Sequence, residues 1–263
     1  MASPLEPKPS RFAANWTHEK QYASLLEADA AAFAWEWLRR STSYKSAFFS
    51  FAGGQASPPC QEFGLESYEH PHLSVPDARP MWSARVSPDV LKAHVSDPFA
   101  PSGDRIDLRL LSGMVTISIT HDEIEHLLLC DGSHFIRIDV MVGTLIGCPA
   151  SLTYLLHGLA GLKGPLRSLE RLAALARTGR ILPPPARLIE RRKRWISELR
   201  VADALTDGAD QQKIARVLFG EAISSTKWRM HNASHRARVQ RLVAQVRSRQ
   251  RNPLGRWFVS ASG

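Results

Sequence analysis

The spacing of hydrophobic and polar positions changes along the chain and divides it into segments of different secondary structure. Residues 28–40 (ADAAAFAWEWLRR) lack Gly and Pro and consist mostly of good helix formers, so they predict a helix. Residues 53–80 contain Gly53-Gly54, Pro58-Pro59 and three further prolines, which regular elements rarely tolerate. This stretch predicts a loop that follows an N-terminal helical segment, residues 1–52.

Short β-branched runs separated by turn dipeptides follow the loop. The runs are Ile106–Leu111, Met114–Thr120 and Phe135–Val140, with turn signals at Ser112-Gly113 and Asp131-Gly132. Such alternation is typical of hairpins and predicts a small antiparallel sheet. From Leu152 to Arg177 leucines recur three or four residues apart, which predicts helices interrupted at Gly164-Pro165. These elements define an α+β middle domain, residues 81–182.

The last segment, residues 183–263, begins with three consecutive prolines and then takes on helical periodicity. Trp195–Leu205 places its apolar residues on one face, and Asp207-Gly208-Ala209 supplies a turn. Asp210 stands where the N-cap of a second helix, Gln211–Phe219, would lie. Two short helices are therefore expected to meet across a tight turn.

A third helix is expected from about Ser234 to about Arg249. Projected at 100° per residue, the apolar side chains form one narrow stripe, Val239, Leu242, Val243 and Val246. The opposite side carries Arg238, Gln240, Arg241 and Gln245. In a helix-turn-helix, two helices support a third whose exposed face enters the major groove, where Arg pairs with guanine and Gln with adenine. We therefore predict a C-terminal helix-turn-helix domain in an α+β protein.

Charge is distributed unevenly and supports nucleic-acid binding. Residues 187–256 contain 17 Lys and Arg against 6 Asp and Glu, whereas the remainder has 17 against 19. No carboxylate side chain follows Glu221, although nine basic residues do. Phosphate binding requires such a surface of one sign, because duplex DNA is a dense polyanion. Basic residues outside the base-contacting face are predicted to bind phosphates: Lys227, Arg229, Arg236 and Arg247.

Other kinds of chemistry have weaker support in the sequence. The two histidines of residues 121–126 (HDEIEH) are five apart, which fits neither of the usual zinc-protease spacings, so no metal site is predicted. The glycines Gly158, Gly161 and Gly164 lack the Lys-Ser or Lys-Thr of a phosphate loop. Three widely spaced cysteines fit neither a disulfide framework nor a metal clip. We expect no catalytic residues and no cofactor.

Location and the aromatic residues lead to two further expectations. The first eleven residues lack the apolar core of a secretory signal, and the longest uncharged apolar stretch, residues 140–156, is too short and too rich in Gly and Pro for a membrane helix. We therefore expect a cytoplasmic protein without a membrane partner.

The aromatic residues near the N-terminus are expected to form core, with some left for protein contacts: Phe33, Trp35, Trp37, Tyr44, Phe48, Phe49 and Phe51.

Three motifs lie in the C-terminal segment: Gln212–Gly220 (QKIARVLFG), Trp228-Arg229, and the basic helix from Arg236 to Val243. Through these motifs the chain resembles a known family, the RovC-type bacterial transcription factors. An N-terminal regulator-like domain is often fused ahead of that family's DNA-binding domain, and the chain resembles it through Trp16, Tyr22, residues 34–40 and Tyr44. The resemblance implies an activator of transcription, associated with regulators of type VI secretion.

Two alternative functions remain open at this point. A replication or recombination accessory protein of a mobile element would share the basic domain, and a protein–protein interaction module would share the helical bundle. A sequence-specific regulator is also expected to be a homo-oligomer, because one small recognition helix buries too little surface for specific affinity. RNA polymerase or a small regulatory protein would be further partners of such a regulator.

Overall fold

The chain folds into two compact units that do not follow simple sequence order. The computed structural model describes residues 15–96, 99–120, 122–183, 188–220, 233–255 and 257–258. The first, which we call the helical unit, comprises the described residues up to Leu26 together with Ile189–Arg251. The second, the sheet unit, comprises Glu27–Leu188 and the described residues from Asn252 onward. This division groups the N-terminal residues with the C-terminal helices, so it does not follow the order of the chain. The domain boundaries predicted from the sequence are continuous segments and stay predictions.

The predicted N-terminal helix is present in the sheet unit as α1, Ala30–Leu38. It begins where it does because the Asp29 carboxylate accepts a hydrogen bond from the Ala32 backbone amide at 3.1 Å, as an N-cap does. The same carboxylate accepts from the backbone amide of Phe135 at 3.0 Å, so one side chain fixes both the helix start and a sheet strand. A second helix, α2, spans Thr42–Ala52 and ends at Gly53.

Five strands form one sheet in the order β2-β3-β4-β1-β5. Their bounds are β1 Leu91–Val95, β2 Val115–Ile119, β3 Glu125–Cys130, β4 Phe135–Val142 and β5 Leu152–Leu155. The β2–β3, β3–β4 and β1–β5 pairs are antiparallel, but β1 and β4 are parallel. The prediction of an α+β protein is thus confirmed, whereas the expectation of a wholly antiparallel sheet is corrected to a mixed one.

The predicted strand Ile106–Leu111 is wrong. Only Ile106 pairs, in an isolated bridge with Ala150, and the following residues form turns. The Asp107 carboxylate accepts from the backbone amide of Arg109 at 3.0 Å and binds its guanidinium at 2.9 Å. Such local side-chain bonds to the backbone compete with strand pairing, which explains why the alternating apolar positions of residues 106–111 do not make a strand here.

The region 152–177, predicted to form helices interrupted at Gly164-Pro165, contains β5 and then a single helix, α3, Lys163–Thr178. Gly164 and Pro165 lie in the first turn of α3 and do not interrupt it. A proline is tolerated there because first-turn amides lack intrahelical partners. A Cβ at Gly164 would lie 2.7 Å from the Pro88 carbonyl oxygen, so the close approach of these backbones requires glycine.

The two faces of the sheet differ in chemistry. One face packs against α3 and forms an apolar core that includes Leu127, Ile138 and Leu172. The other face contains buried charges: Arg137 donates to Asp139 at 2.8 Å and to the Leu127 and Trp82 carbonyl oxygens at 2.7 and 3.0 Å. Burial of these charges is tolerated because each is bonded to protein groups. In the described part of the chain, no helix has both the length and the apolar character needed to cross a membrane.

The aromatic residues near the N-terminus lie mainly in the core of the sheet unit. Phe33, Trp35, Trp37, Tyr44 and Phe48 are buried, as expected of core residues. Phe49 and Phe51 are exposed at 47% and 55%. Burial of the first five agrees with the expectation that most of this group is core. The two exposed rings contact neighbouring rings: Phe51 stacks on Tyr68, and Phe49 lies edge-on to His70 and His72.

The helical unit is built around a long central helix, α4, Ile189–Thr206. Two further helices pack on it, α5 (Gln211–Phe219) and α6 (Ala233–Arg251), together with a 3-10 helix at Glu19–Leu26. The sequence pattern predicts one buried face from Trp195 onward, but α4 begins earlier and is buried on several sides. Its buried charged residues are Arg192, Glu198 and Arg200.

The N-terminal segment 15–26 supplies partners for these buried charges. Arg200 Nε donates to the Trp16 carbonyl oxygen at 3.0 Å, and its Nη1 lies 3.2 Å from the Glu19 carboxylate. Arg192 Nη1 donates to the Leu26 carbonyl oxygen at 3.1 Å. The Trp16 indole, itself buried, donates to Asp207 at 3.1 Å in the turn after α4. The segment is therefore an integral part of the helical unit.

Trp16→Ala is expected to lower the free energy of unfolding of the helical unit by about 3–5 kcal/mol, because it removes a buried indole and leaves a cavity. Lys20→Ala, an exposed position of the adjacent 3-10 helix, is the control and should change stability by less than about 0.5 kcal/mol. Chemical denaturation of the full chain measures both. Equal stabilities of the two variants would show that the N-terminal segment 15–26 does not stabilise the helical unit.

Candidate nucleic-acid interface

The helix α6 has one face in the core of the helical unit. Val239, Leu242, Val243 and Val246 are all buried, at 0–8% exposure, and the helix packs against α4 and α5. The predicted apolar stripe is therefore the face that packs. Since an α-helix turns by 100° per residue, burial of this stripe forces the opposite side chains outward. The geometry of α6 is thus decided by four hydrophobic residues.

The side of α6 opposite the stripe is exposed and basic. Arg238, Gln240, Arg241, Gln245 and Arg247 are exposed, and Arg236 is half-buried at the edge of the stripe. Of the remaining predicted DNA contacts, Lys227 and Arg229 lie outside the described residues. The helix has six arginines and no Asp or Glu along its whole length. The structure thus brings six of the eight nominated side chains onto one helix, five of them fully exposed.

Arg238 differs from the other outward residues because its guanidinium contacts the preceding helix. The guanidinium carbon lies 4.4 Å from the centroid of the Phe219 ring, at the end of α5. The ring of His235 approaches the same phenyl group, with centroids 5.5 Å apart. Phe219 is only half-buried. Sequence periodicity places it on the apolar face of α5 but does not show that an arginine stacks on it.

The start of α5 is formed as the sequence predicts. The Asp210 carboxylate accepts from the backbone amide of Lys213 at 2.7 Å, which caps the helix, and Gly220 ends it. Ile214 and Ala215 are buried against the other helices. Lys213 and Arg216 are exposed on α5 and were not nominated from the sequence. The Lys213 ammonium lies over the Trp16 ring at 5.6 Å.

A buried carboxylate fixes the far end of α6. Glu198 of α4 is only 2% exposed and accepts a hydrogen bond from Arg249 Nε at 2.5 Å. Sequence reasoning missed this pair. The available signal was that Glu198 has apolar neighbours three and four residues away, Trp195, Val201 and Ala202, so it lies on a packed face. The ion pair joins α4 to the last turns of α6 and holds that helix in place.

The structure also accounts for the residues that could suggest metal or thiol chemistry. His126 binds Asp139 at 2.7 Å on the polar face of the sheet, while His121 lies outside the described residues. Within the described ranges, no cluster of His, Cys, Asp and Glu is arranged to hold a metal ion. The three cysteines are unpaired, and burial raises the pKa of the Cys130 thiol to about 11. That thiol stays protonated at neutral pH.

Two segments of the chain match families of transcriptional regulators, which indicates the class of transcription factors with a DNA-binding domain. Residues 15–63 match the proteobacterial transcriptional regulator-like domain. Residues 159–248 match the RovC DNA-binding domain, described as that of a transcription factor of the type VI secretion system (T6SS). The resemblance expected from the motifs, including the order of the two parts, is confirmed. No curated protein gives a significant match to the chain.

The second match extends over α3, α4, α5 and most of α6, so it contains the basic helix and both helices that support it. The first match begins in the N-terminal segment 15–26, which packs on α4, and continues over α1 and α2. Each match therefore includes residues of both compact units.

Glu198→Ala is expected to destabilise the helical unit by roughly 3 kcal/mol, because it removes a buried carboxylate that joins α4 to α6 and leaves a cavity at its position. The matched control is Glu190→Ala on the same helix, where the carboxylate is 81% exposed and pairs with Lys193. Loss of such a surface pair should cost less than about 1 kcal/mol. Urea denaturation of both variants provides the comparison, and a small effect at both positions would contradict a structural role for Glu198.

Proposed function

We propose that this protein is a sequence-specific transcriptional regulator that binds duplex DNA through α6, the recognition helix of a helix-turn-helix. The observation that supports this best is a helix whose apolar stripe is buried and whose exposed face is basic and free of carboxylates. The family matches support DNA as the partner. The family resemblance favours an activator, and a regulator of this kind needs no catalytic residues.

The charge of α6 suits phosphate binding. Neutralising phosphates with arginine releases condensed counterions, which favours association with any duplex and makes it salt-dependent. Arg236 and Arg247 are eleven residues apart, which places both beside the same edge of the buried stripe, where their side chains would reach the DNA backbone along one side of a groove. We assign these two to phosphate contacts, with Lys227 and Arg229 as further candidates.

The outermost positions of α6 suit base contacts. Arg241 and Gln245 are exposed and four residues apart, so they lie on the same side of the helix. Arg can pair with guanine and Gln with adenine in the major groove. Ala244 and Ser248, also exposed, are small, so they would let the helix backbone approach the base edges closely. Arg238 and Gln240 flank this face and complete the proposed base-contacting set.

Arg241→Ala is expected to weaken binding to the cognate site by about 1–3 kcal/mol and to affect random DNA much less, because a bidentate base contact exists only on the correct sequence. The cognate site is first selected from genomic fragments bound by the full chain. Fluorescence anisotropy then gives affinities on both DNAs at two salt concentrations.

Arg247→Ala is the matched control in that experiment, since it also removes an arginine side chain from α6, but at a position assigned to phosphate contact. It should weaken cognate and random DNA by similar factors and reduce the salt slope by about one unit. Equal losses on the two DNAs for Arg241→Ala would mean that this face does not recognise bases. If DNA binding by the full chain is undetectable or does not depend on salt, the result would favour the alternative function, a protein–protein interaction module.

We further propose that the protein binds DNA as a homo-oligomer. One helix of 19 residues offers too small a surface for the affinities usual among specific regulators, and symmetric regulators gain affinity from paired half-sites. Light scattering of the full chain, alone and with the selected DNA, should give more than one chain per complex. A single chain per complex under both conditions would contradict this arrangement. RNA polymerase or a small regulatory protein are proposed as additional partners.

A further inference from the structure

Phe219 and Arg238 form a contact between the end of α5 and the second turn of α6. At 4.4 Å from guanidinium carbon to ring centroid, the pair lies well within the distance of a cation–π interaction. Phe219 is half-buried, whereas Arg238 is exposed. The ring is therefore held by the helical unit, and the guanidinium that rests on it remains accessible from outside.

The chemistry of the contact leaves the arginine able to bind. A guanidinium over the face of an aromatic ring is attracted through its charge rather than through a hydrogen bond, so its N–H groups can still pair with guanine or phosphate. Across the described ranges, no ion pair involves Arg238. The arginine over the ring thus keeps its charge and its donors for an external partner.

The space beside Arg238 shows why this side chain needs a neighbour that fixes its orientation. Phe219, His235 and Arg238 border a cavity of about 400 Å³ in the helical unit, together with residues that include Ile196 and Arg200. An arginine without a support would have room to turn into this space or out to solvent. Ordering a long side chain on binding costs free energy, and a side chain that is already ordered avoids that cost.

We infer that Phe219 is a specificity-determining positioning residue: it holds Arg238 in the orientation in which that arginine contacts DNA. The inference rests on the proposed function of α6. It adds a residue of α5, one that does not itself touch DNA, to the set that determines recognition. It also separates Arg238 from Arg241, whose orientation does not depend on this ring.

The test compares Phe219→Leu, which keeps apolar volume but removes the ring, with Phe219→Tyr, which keeps the ring. In the full chain, Phe219→Leu should weaken binding to the selected cognate DNA by about three- to tenfold and random DNA by less. Phe219→Tyr should bind as the natural chain does. Thermal unfolding of each variant shows whether a loss of affinity follows a loss of folding.

A double-mutant comparison with Arg238→Ala separates positioning from general stability. If Phe219 acts through Arg238, Phe219→Leu should cause no additional loss of affinity once Arg238 is alanine. A further loss of the same factor in the double variant would overturn the inference, as would wild-type affinity of Phe219→Leu.

The same measurements distinguish this inference from the proposed function. If Arg241→Ala discriminates between cognate and random DNA but Arg238→Ala has no effect, the inference about Phe219 is wrong and the proposed function stands. If neither variant discriminates between the two DNAs, the recognition role of α6 fails, and the inference fails with it.

Discussion

The helical unit depends on one constraint, the burial of charged side chains on α4. Arg192, Glu198 and Arg200 are each at most 5% exposed. A buried charge without a partner is very costly, so α4 can be buried only where other elements supply hydrogen-bond partners. The N-terminal segment supplies backbone carbonyls and Glu19 to the two arginines, and α6 supplies Arg249 to Glu198. The positions of both elements follow from this requirement.

The position of α6 in turn decides which of its side chains are exposed. Its valines and leucine are buried, and the Glu198–Arg249 pair fixes its far end, so the helix has little freedom to rotate. The arginines and glutamines on the opposite side are presented on a rigid element. Recognition sites built on rigid elements are more precise than sites on loops, which is the physical advantage of this arrangement for binding a groove.

Signals that act within one or two helical turns, such as a helix cap or an apolar stripe, predicted the local structure correctly. Asp210 caps the start of α5 as predicted, and the stripe of α6 is buried as its spacing requires. Signals that depend on a partner far away in the sequence were less informative. Residues 106–111 look like a strand but fold as turns, because Asp107 bonds locally to Arg109. The parallel β1–β4 pair joins residues more than forty positions apart, and neither strand alone indicates its direction.

By itself, the sequence determined the basic character of the C-terminal third, the amphipathic pattern of its helices and the resemblance to a regulator with a DNA-binding domain. These properties depend on residue type and on spacing within one or two helical turns. Only the tertiary structure decided that residues 15–26 complete the helical unit, that Glu198 is buried against Arg249, and that Arg238 rests on Phe219. Each of these depends on side chains that are distant in sequence and come together only when the apolar faces pack.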